Sequence, residues 1–133
     1  MSRYLLDTTV LAALLRKRTD PRLLTCLRSV SPRDVATSAI CIAELRAAAA
    51  GHPRESAVWE RIRGEVLSRV PVLPFGEAEA IRAGDLLAGL SDRPPTGALL
   101  VAATALEHGL FVATREPGRY DAFPGLSIVT WCG

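Results

Sequence analysis

Three acids stand where an α/β enzyme could use them. Asp7 closes the short run Arg3-Tyr4-Leu5-Leu6, Glu44 lies within two turns of the start of an Ala-rich helical stretch, and Glu116 follows the apolar run at 110–114 by two residues. Asp121 lies further along the same turn as Glu116. Carboxylates gathered at one edge of a sheet repel each other, and a divalent cation relieves that repulsion. Oxygen-only ligands point to Mg²⁺ or Mn²⁺ rather than zinc. The other chemistries lack their residues. His52 and His108 stand alone and read as helix-end surface residues, and Cys26, Cys41 and Cys132 form no C-x-x-C pair, so they read as reduced thiols. Neither G-x-G-x-x-G nor the P-loop pattern occurs, and no Ser or Cys nucleophile has a His beside it. Each acid also has a plainer use. Asp7 could cap the next helix, Glu44 could be a solvated helix residue, and Glu116 a turn acid. Asp121 reads as a turn residue rather than a ligand.

The elements that would position these acids alternate. A strand at 3–6 ends at Asp7, and a helix from Val10 to about Arg16 carries Leu11, Leu14 and Leu15 on one face. Asp20-Pro21 starts a second helix, with Asp as N-cap and Pro in the first turn. Residues 34–37 read as strand, and Ser38 caps a helix that Gly51 and Pro53 end. An amphipathic helix is expected over 55–69, with Val58, Ile62, Val66 and Leu67 on one side. Residues 70–75 form a strand interrupted by Pro71 and Pro74, hence near an edge. Helix follows over 76–90, then a loop, then a helix over 98–108 that is apolar on nearly every side and so buried. Gly109 stops it, and strands at 110–114 and 126–131 complete the chain. Strands alternating with helices predict a single α/β/α domain with a mostly parallel five-stranded central sheet. Such sheets place ligands beyond the C-terminal ends of their strands, where Asp7 and Glu116 fall.

Composition agrees with one globular domain. The chain has 133 residues, of which 49% are hydrophobic and 23% charged, which excludes a disordered tail, a fibre or a disulfide knot. No apolar stretch approaches the ~20 residues of a bilayer span, and Asp7 interrupts any signal-peptide core. A cytoplasmic location is expected, without membrane contact. Net charge is only +2, yet residues 1–69 carry 12 Lys or Arg against 7 acids while residues 70–133 carry 4 against 7. All but one of the basic residues are Arg, which suits bidentate contacts with phosphate or with an acidic partner.

Several motifs, in order along the whole chain, resemble those of PIN-domain proteins, in particular bacterial VapC-type toxins of VapBC toxin–antitoxin systems. They are Tyr4-Leu5-Leu6-Asp7-Thr8-Thr9-Val10-Leu11-Ala12, Ala43-Glu44-Leu45-Arg46, the run from Leu99 to Leu110, Val112-Ala113-Thr114-Arg115-Glu116, and Tyr120-Asp121-Ala122-Phe123-Pro124-Gly125-Leu126 followed by Trp131. The resemblance implies a PIN-like fold and endoribonuclease activity, with RNA phosphodiesters hydrolysed by way of Mg²⁺ or Mn²⁺ held by a small set of acids. Asp7 would then be the central ligand, Glu44 a second ligand or water-positioner, Glu116 a direct or water-mediated ligand, and Thr8 the hydroxyl that supports the first aspartate. Two positions depart from the family pattern. Thr9 stands where Asn is usual, and Ala98 stands where an aspartate belongs among the ligands. Losing that carboxylate is expected to weaken metal binding, and with it cleavage.

The resemblance further implies a VapB-like antitoxin whose C-terminal segment lies across the site, and a homodimer or larger toxin–antitoxin assembly. Arg16, Lys17, Arg18 and Arg46 flank the proposed site and, with Arg115, are candidate contacts for RNA or antitoxin. Against the ribonuclease stands a non-catalytic PIN-like module that only binds antitoxin or RNA. A phosphoryl-transfer enzyme or receiver domain fits poorly, because Thr9 replaces the second aspartate that the phosphatases need and Lys17 is the sole Lys.

Overall fold

The computed structural model describes residues 2–131. Strand β1 (Tyr4–Leu6) runs into helix α1 (Thr8–Leu14), with Asp7 as the N-cap between them. Helix α2 (Pro21–Arg28) starts as its sequence requires, with the Asp20 side chain accepting from Arg22 N at 2.9 Å. Then come β2 (Val35–Ser38), α3 (Ala39–Ala50), α4 (Glu55–Ile62), β3 (Val72–Leu73), α5 (Glu77–Ala88), α6 (Thr96–His108), β4 (Phe111–Thr114), a 3₁₀ turn at Pro117–Tyr120, and β5 (Ile128–Thr130). Gly109 ends α6 in the left-handed conformation, with φ of 67°, which an L side chain would occupy only with strain.

The five strands lie in the order β3-β2-β1-β4-β5 and every neighbouring pair is parallel. Each link between parallel strands needs a crossover, and the helices supply it while covering both faces. The chain winds from β1 outward to β3 on one side, then crosses to β4 and β5 on the other. Winding therefore reverses between β1 and β4. That is the topological switch point, where side chains at the carboxyl ends of strands face a crevice instead of a crossing loop. Asp7 is at that point, and its backbone N–H donates to Ala113 O of β4 at 3.1 Å.

The core explains why the site is rigid. Leu5, Leu6, Val10, Leu11, Val101, Ala102, Ala103 and Val112 are all essentially inaccessible, so β1, α1, α6 and β4 pack as one body. The near-continuous apolar character of α6 matches its burial on several sides. A cleft of about 440 Å³ opens between α1, α2 and the segment after α4, lined by Leu11, Leu14, Leu24, Leu27 and Val66. Its lining includes none of Asp7, Glu44 and Glu116.

The structure refines the sequence reading at several places. The sheet is wholly parallel rather than mostly so. The edge strand expected over 70–75 contracts to Val72–Leu73, because Pro71 and Pro74 have no N–H to donate to a ladder. The helix expected over 55–69 is α helix only to Ile62, and Arg63–Leu67 forms a π turn in which Ser68 N donates to Arg63 O at 3.1 Å. Apolar period alone does not distinguish such a turn from continuing α helix. Cys41 is a free, buried thiol as expected, whereas Cys26 is disulfide-bonded, which corrects the expectation of reduced thiols throughout. Cys132 lies outside the described residues.

Candidate active site

Asp7 is fully buried, with 0% exposure. A buried carboxylate is costly without donors, and this one has several. Its Oδ1 accepts from Thr9 N at 3.0 Å, Val10 N at 3.2 Å and Thr9 Oγ1 at 2.5 Å. Its Oδ2 accepts from the Tyr120 hydroxyl at 2.8 Å. Asp7 is thus both the cap of α1 and a charge at the switch point. Tyr120 is itself buried, and that burial, reinforced by the charge and hydrogen bond of Asp7, pushes its hydroxyl far above the usual phenol range. It stays a neutral donor.

Glu44 is in the second turn of α3, positioned by the Ser38 cap, whose Oγ accepts from Cys41 N at 3.1 Å. Its Oε1 accepts from Thr8 Oγ1 at 2.6 Å, which ties α3 to the residue after Asp7. Its Oε2 lies 3.5 Å from Arg119 Nη2. The same oxygen abuts the first turn of α6, where a Cβ on Gly97 would come within 2.9 Å of it. Glycine is what allows this close approach. The approach is favourable electrostatically, since the positive end of a helix whose N-cap is Pro95 lacks a side-chain acceptor of its own. Burial raises the Cys41 thiol, opposed by hydrogen bonds from Ser38, Thr8 and Thr37, so it stays a neutral thiol.

Asp7 and Glu44 are therefore linked, through Thr8 on one side and the Pro117–Tyr120 turn on the other. Ala98 is fully buried, one residue beyond the Gly97 that touches Glu44. Glu116 is different. It is exposed at the rim, and its backbone N–H donates to Thr114 Oγ1 at 3.0 Å. Thr8, expected to support Asp7, supports Glu44 instead. The hydroxyl on Asp7 belongs to Thr9, which also accepts from Arg115 N at 2.9 Å and so joins α1 to the end of β4. In the first turn of a helix, successive side chains point about 100° apart, so the two threonines serve different partners.

The basic candidates separate in the same way. Arg16, Lys17 and Arg18 are exposed after α1. Arg46 pairs with Glu55 at 3.1 Å and lies over the Trp59 ring, and Arg115 pairs with Asp20 at 3.3 Å. The Arg22 backbone N–H is the main cause that holds the Asp20 carboxyl below its ordinary range, with Arg115 adding to it. Arg119 and Tyr120 are the residues that sequence reasoning missed. Their signal is position: they follow Glu116 in a Pro-Gly turn, where consecutive side chains can reach into a pocket from its rim.

The donor set can be tested against the divalent ion expected here. A hard cation takes six or more oxygen ligands, with carboxylates free to supply them. Asp7 and Glu44 supply four oxygens, each beside a protein donor, which by itself leaves lone pairs for an ion, but the Arg119 guanidinium stands against Glu44 Oε2. Among the described residues no group of three or more His, Cys, Asp or Glu side chains is placed to hold a metal. The residues present do not fit the ion.

Comparison with known proteins identifies the family. The PIN domain model matches residues 4–122. The chain is 33% identical over 135 residues to VapC ribonuclease Y4jK of Sinorhizobium fredii (strain NBRC 101917 / NGR234), covering 93% of this chain and 94% of that protein. It is 34% identical over 128 residues to toxin FitB of Neisseria gonorrhoeae (strain ATCC 700825 / FA 1090), covering 89% and 91%. The crystal structure of FitAcB from Neisseria gonorrhoeae superposes with a TM-score of 0.84 at 29% identity over 96% of both chains. DNA-bound VapBC from Salmonella typhimurium shares the fold, with a TM-score of 0.90 at 23% identity over 99% and 100%. The sequence motifs, the switch-point acids and these relatives agree: the chain belongs to the PIN-domain family, among its VapC-type toxins.

Proposed function

We propose that this chain is the toxin of a cytoplasmic toxin–antitoxin pair, built on an endoribonuclease scaffold whose acid set is incomplete. The reaction class of that scaffold is hydrolysis of RNA phosphodiesters with Mg²⁺ or Mn²⁺; Asp7, Glu44, Glu116 and position 98 are where its ligands would stand, and with Ala98 the set present does not hold the ion. The observation that carries this reading is the meeting of Asp7 and Glu44 at the switch point, beside the start of α6. It occurs in a chain similar nearly end to end to a ribonuclease. Its partners are RNA and a small VapB-like antitoxin, with a homodimer as the basic assembly. Exposed Arg16, Lys17 and Arg18 are the basic candidates not held in the ion pairs described for Arg46 and Arg115, and they would contact either partner.

A second reading has its own support. With Ala98 in place of an acid, and with Arg119 and Tyr120 on the remaining two, the same scaffold would serve as a binding module that captures antitoxin or RNA without cutting. Incubating the purified chain and its Ala98→Asp variant with total cellular RNA, in Mn²⁺ and in EDTA, separates the two. Discrete, EDTA-sensitive cleavage by the variant and little by the parent is the expected result. Absence of cleavage by both of these and by the double variant Ala98→Asp/Arg119→Gln, across millimolar Mn²⁺, rejects the ribonuclease scaffold and leaves the binding module.

A further inference from the structure

We infer that Arg119 is the resident cation of the Asp7–Glu44 pocket, supplying from within the chain the positive charge that a divalent ion would otherwise supply. The inference rests on reading these two acids as the remainder of a metal-binding set. Two contacts place the guanidinium. Its Nη2 is 3.5 Å from Glu44 Oε2, and its Cζ is 5.9 Å from the centre of the Tyr120 ring. The Arg119 side chain is 23% exposed and that of Glu44 32%, so the pair is sheltered without being sealed.

The turn that carries Arg119 makes the assignment specific. Pro117–Tyr120 is a single 3₁₀ turn, closed by Arg119 N donating to Glu116 O at 3.1 Å. Its last two residues each address one carboxylate: Arg119 faces Glu44 and Tyr120 donates to Asp7. One short segment thus partners both acids at once. A metal ion bound at Glu44 would have to separate Arg119 from Oε2 and bear the repulsion of a guanidinium close by, whereas Tyr120 can stay on Oδ2 of Asp7, which keeps a second lone pair. At a separation of a few Å and intermediate dielectric that repulsion is large compared with thermal energy. Removing the charge of Arg119 should therefore admit a cation that the parent chain excludes, even before the acid at position 98 is restored.

The test is Mn²⁺ binding to the full chain, followed by calorimetry and by the electron paramagnetic resonance of free Mn²⁺, with no RNA present. The parent and Arg119→Lys, which keeps the charge, should show no saturable site into the millimolar range. Arg119→Gln and Arg119→Ala should each gain one site, with affinity raised by at least about tenfold. The double variant Ala98→Asp/Arg119→Gln should bind more tightly than either single change. Near-ultraviolet circular dichroism confirms that each variant is folded, and Gln retains most of the bulk of Arg should Ala loosen the turn. Saturable Mn²⁺ binding by the parent at the strength of Arg119→Gln would overturn the inference, as would failure of both neutral variants to gain a site. Cleavage is read separately. A double variant that binds Mn²⁺ yet leaves RNA intact counts against the ribonuclease reading and supports the assignment of Arg119.

Discussion

Replacing Tyr120 by Phe deletes a single oxygen, and the structure states what that oxygen does. It donates to Oδ2 of Asp7 at 2.8 Å, in a place where Tyr120 is 1% exposed and Asp7 0%. A hydrogen bond to an ionised group contributes about 1.5–3 kcal/mol, and a buried acceptor left without its donor adds to the loss. Phe fills nearly the same volume, so little cavity cost accompanies it. At neutral pH the variant should be less stable by about 2 kcal/mol, a fall in Tm of roughly 5–10 °C for a domain of this size. Urea unfolding with an unchanged slope would measure it.

The same oxygen gives the prediction a pH signature. In the unfolded chain Tyr120 loses its proton near pH 10. In the folded chain burial first, and Asp7 second, hold the proton on well above that range. The folded state then binds more protons than the unfolded one, so stability must fall as pH rises past about 10, by up to about 1.4 kcal/mol per pH unit from this one group. The Phe variant lacks this group. Its stability should therefore decline less steeply, and the gap of about 2 kcal/mol seen at pH 7 should narrow between about pH 10 and 11.5. Taking the difference between the two proteins cancels every other group that titrates alike in both. A gap that stays constant across that window, or a variant as stable as the parent at pH 7, would refute the placement of the hydroxyl on Asp7.

Two more outcomes test the scaffold around the acids. Thr9→Val keeps the shape but removes the hydroxyl that donates to Asp7 at 2.5 Å and accepts from Arg115 N; a loss of about 2 kcal/mol in chemical denaturation is expected, and a change under about 0.5 kcal/mol would count against that network. Asp20→Asn keeps an N-cap acceptor for α2 while releasing Arg115, so neutral-pH stability should change little. Because Asp20 titrates below its ordinary range when folded, its contribution is present above about pH 4 and lost as pH falls further, so the parent should show slightly more acid sensitivity than Asp20→Asn in pH-jump unfolding.

The alternation of elements was legible because each strand and helix carries its own local pattern. Asp7 after Leu5-Leu6, Asp20 before Pro21 and Ser38 before α3 all act as caps, and each is a local event that spacing discloses. The acids at strand ends were legible for the same reason, since a parallel sheet with helical crossovers fixes which ends form a crevice. The π turn at Arg63–Leu67 was not, because its apolar residues fit an α period equally well. The partners of the carboxylates were less legible still. Arg119 and Glu44 are 75 positions apart and Tyr120 and Asp7 are 113 apart, and no property of either residue alone names the other. Even the division between Thr8 and Thr9 depends on the direction each side chain takes after the cap.

Those unseen partners change what the missing acid means. Counting side chains alone, Ala98 reads as one ligand lost from a set that otherwise stands ready for a cation. The structure shows Arg119 already standing against Glu44, while Thr9 and Tyr120 orient Asp7 and Thr8 orients Glu44. With Asp at 98 and a neutral residue at 119, the pocket would hold three negative charges with nothing from the chain to balance them, and burial would make that costly unless a metal entered. With Ala at 98 and Arg at 119, two carboxylates face one guanidinium and the excess falls to a single negative charge. The two positions are alternative solutions to a single electrostatic problem. The charge at 119 should therefore decide how much metal affinity an acid at 98 can restore.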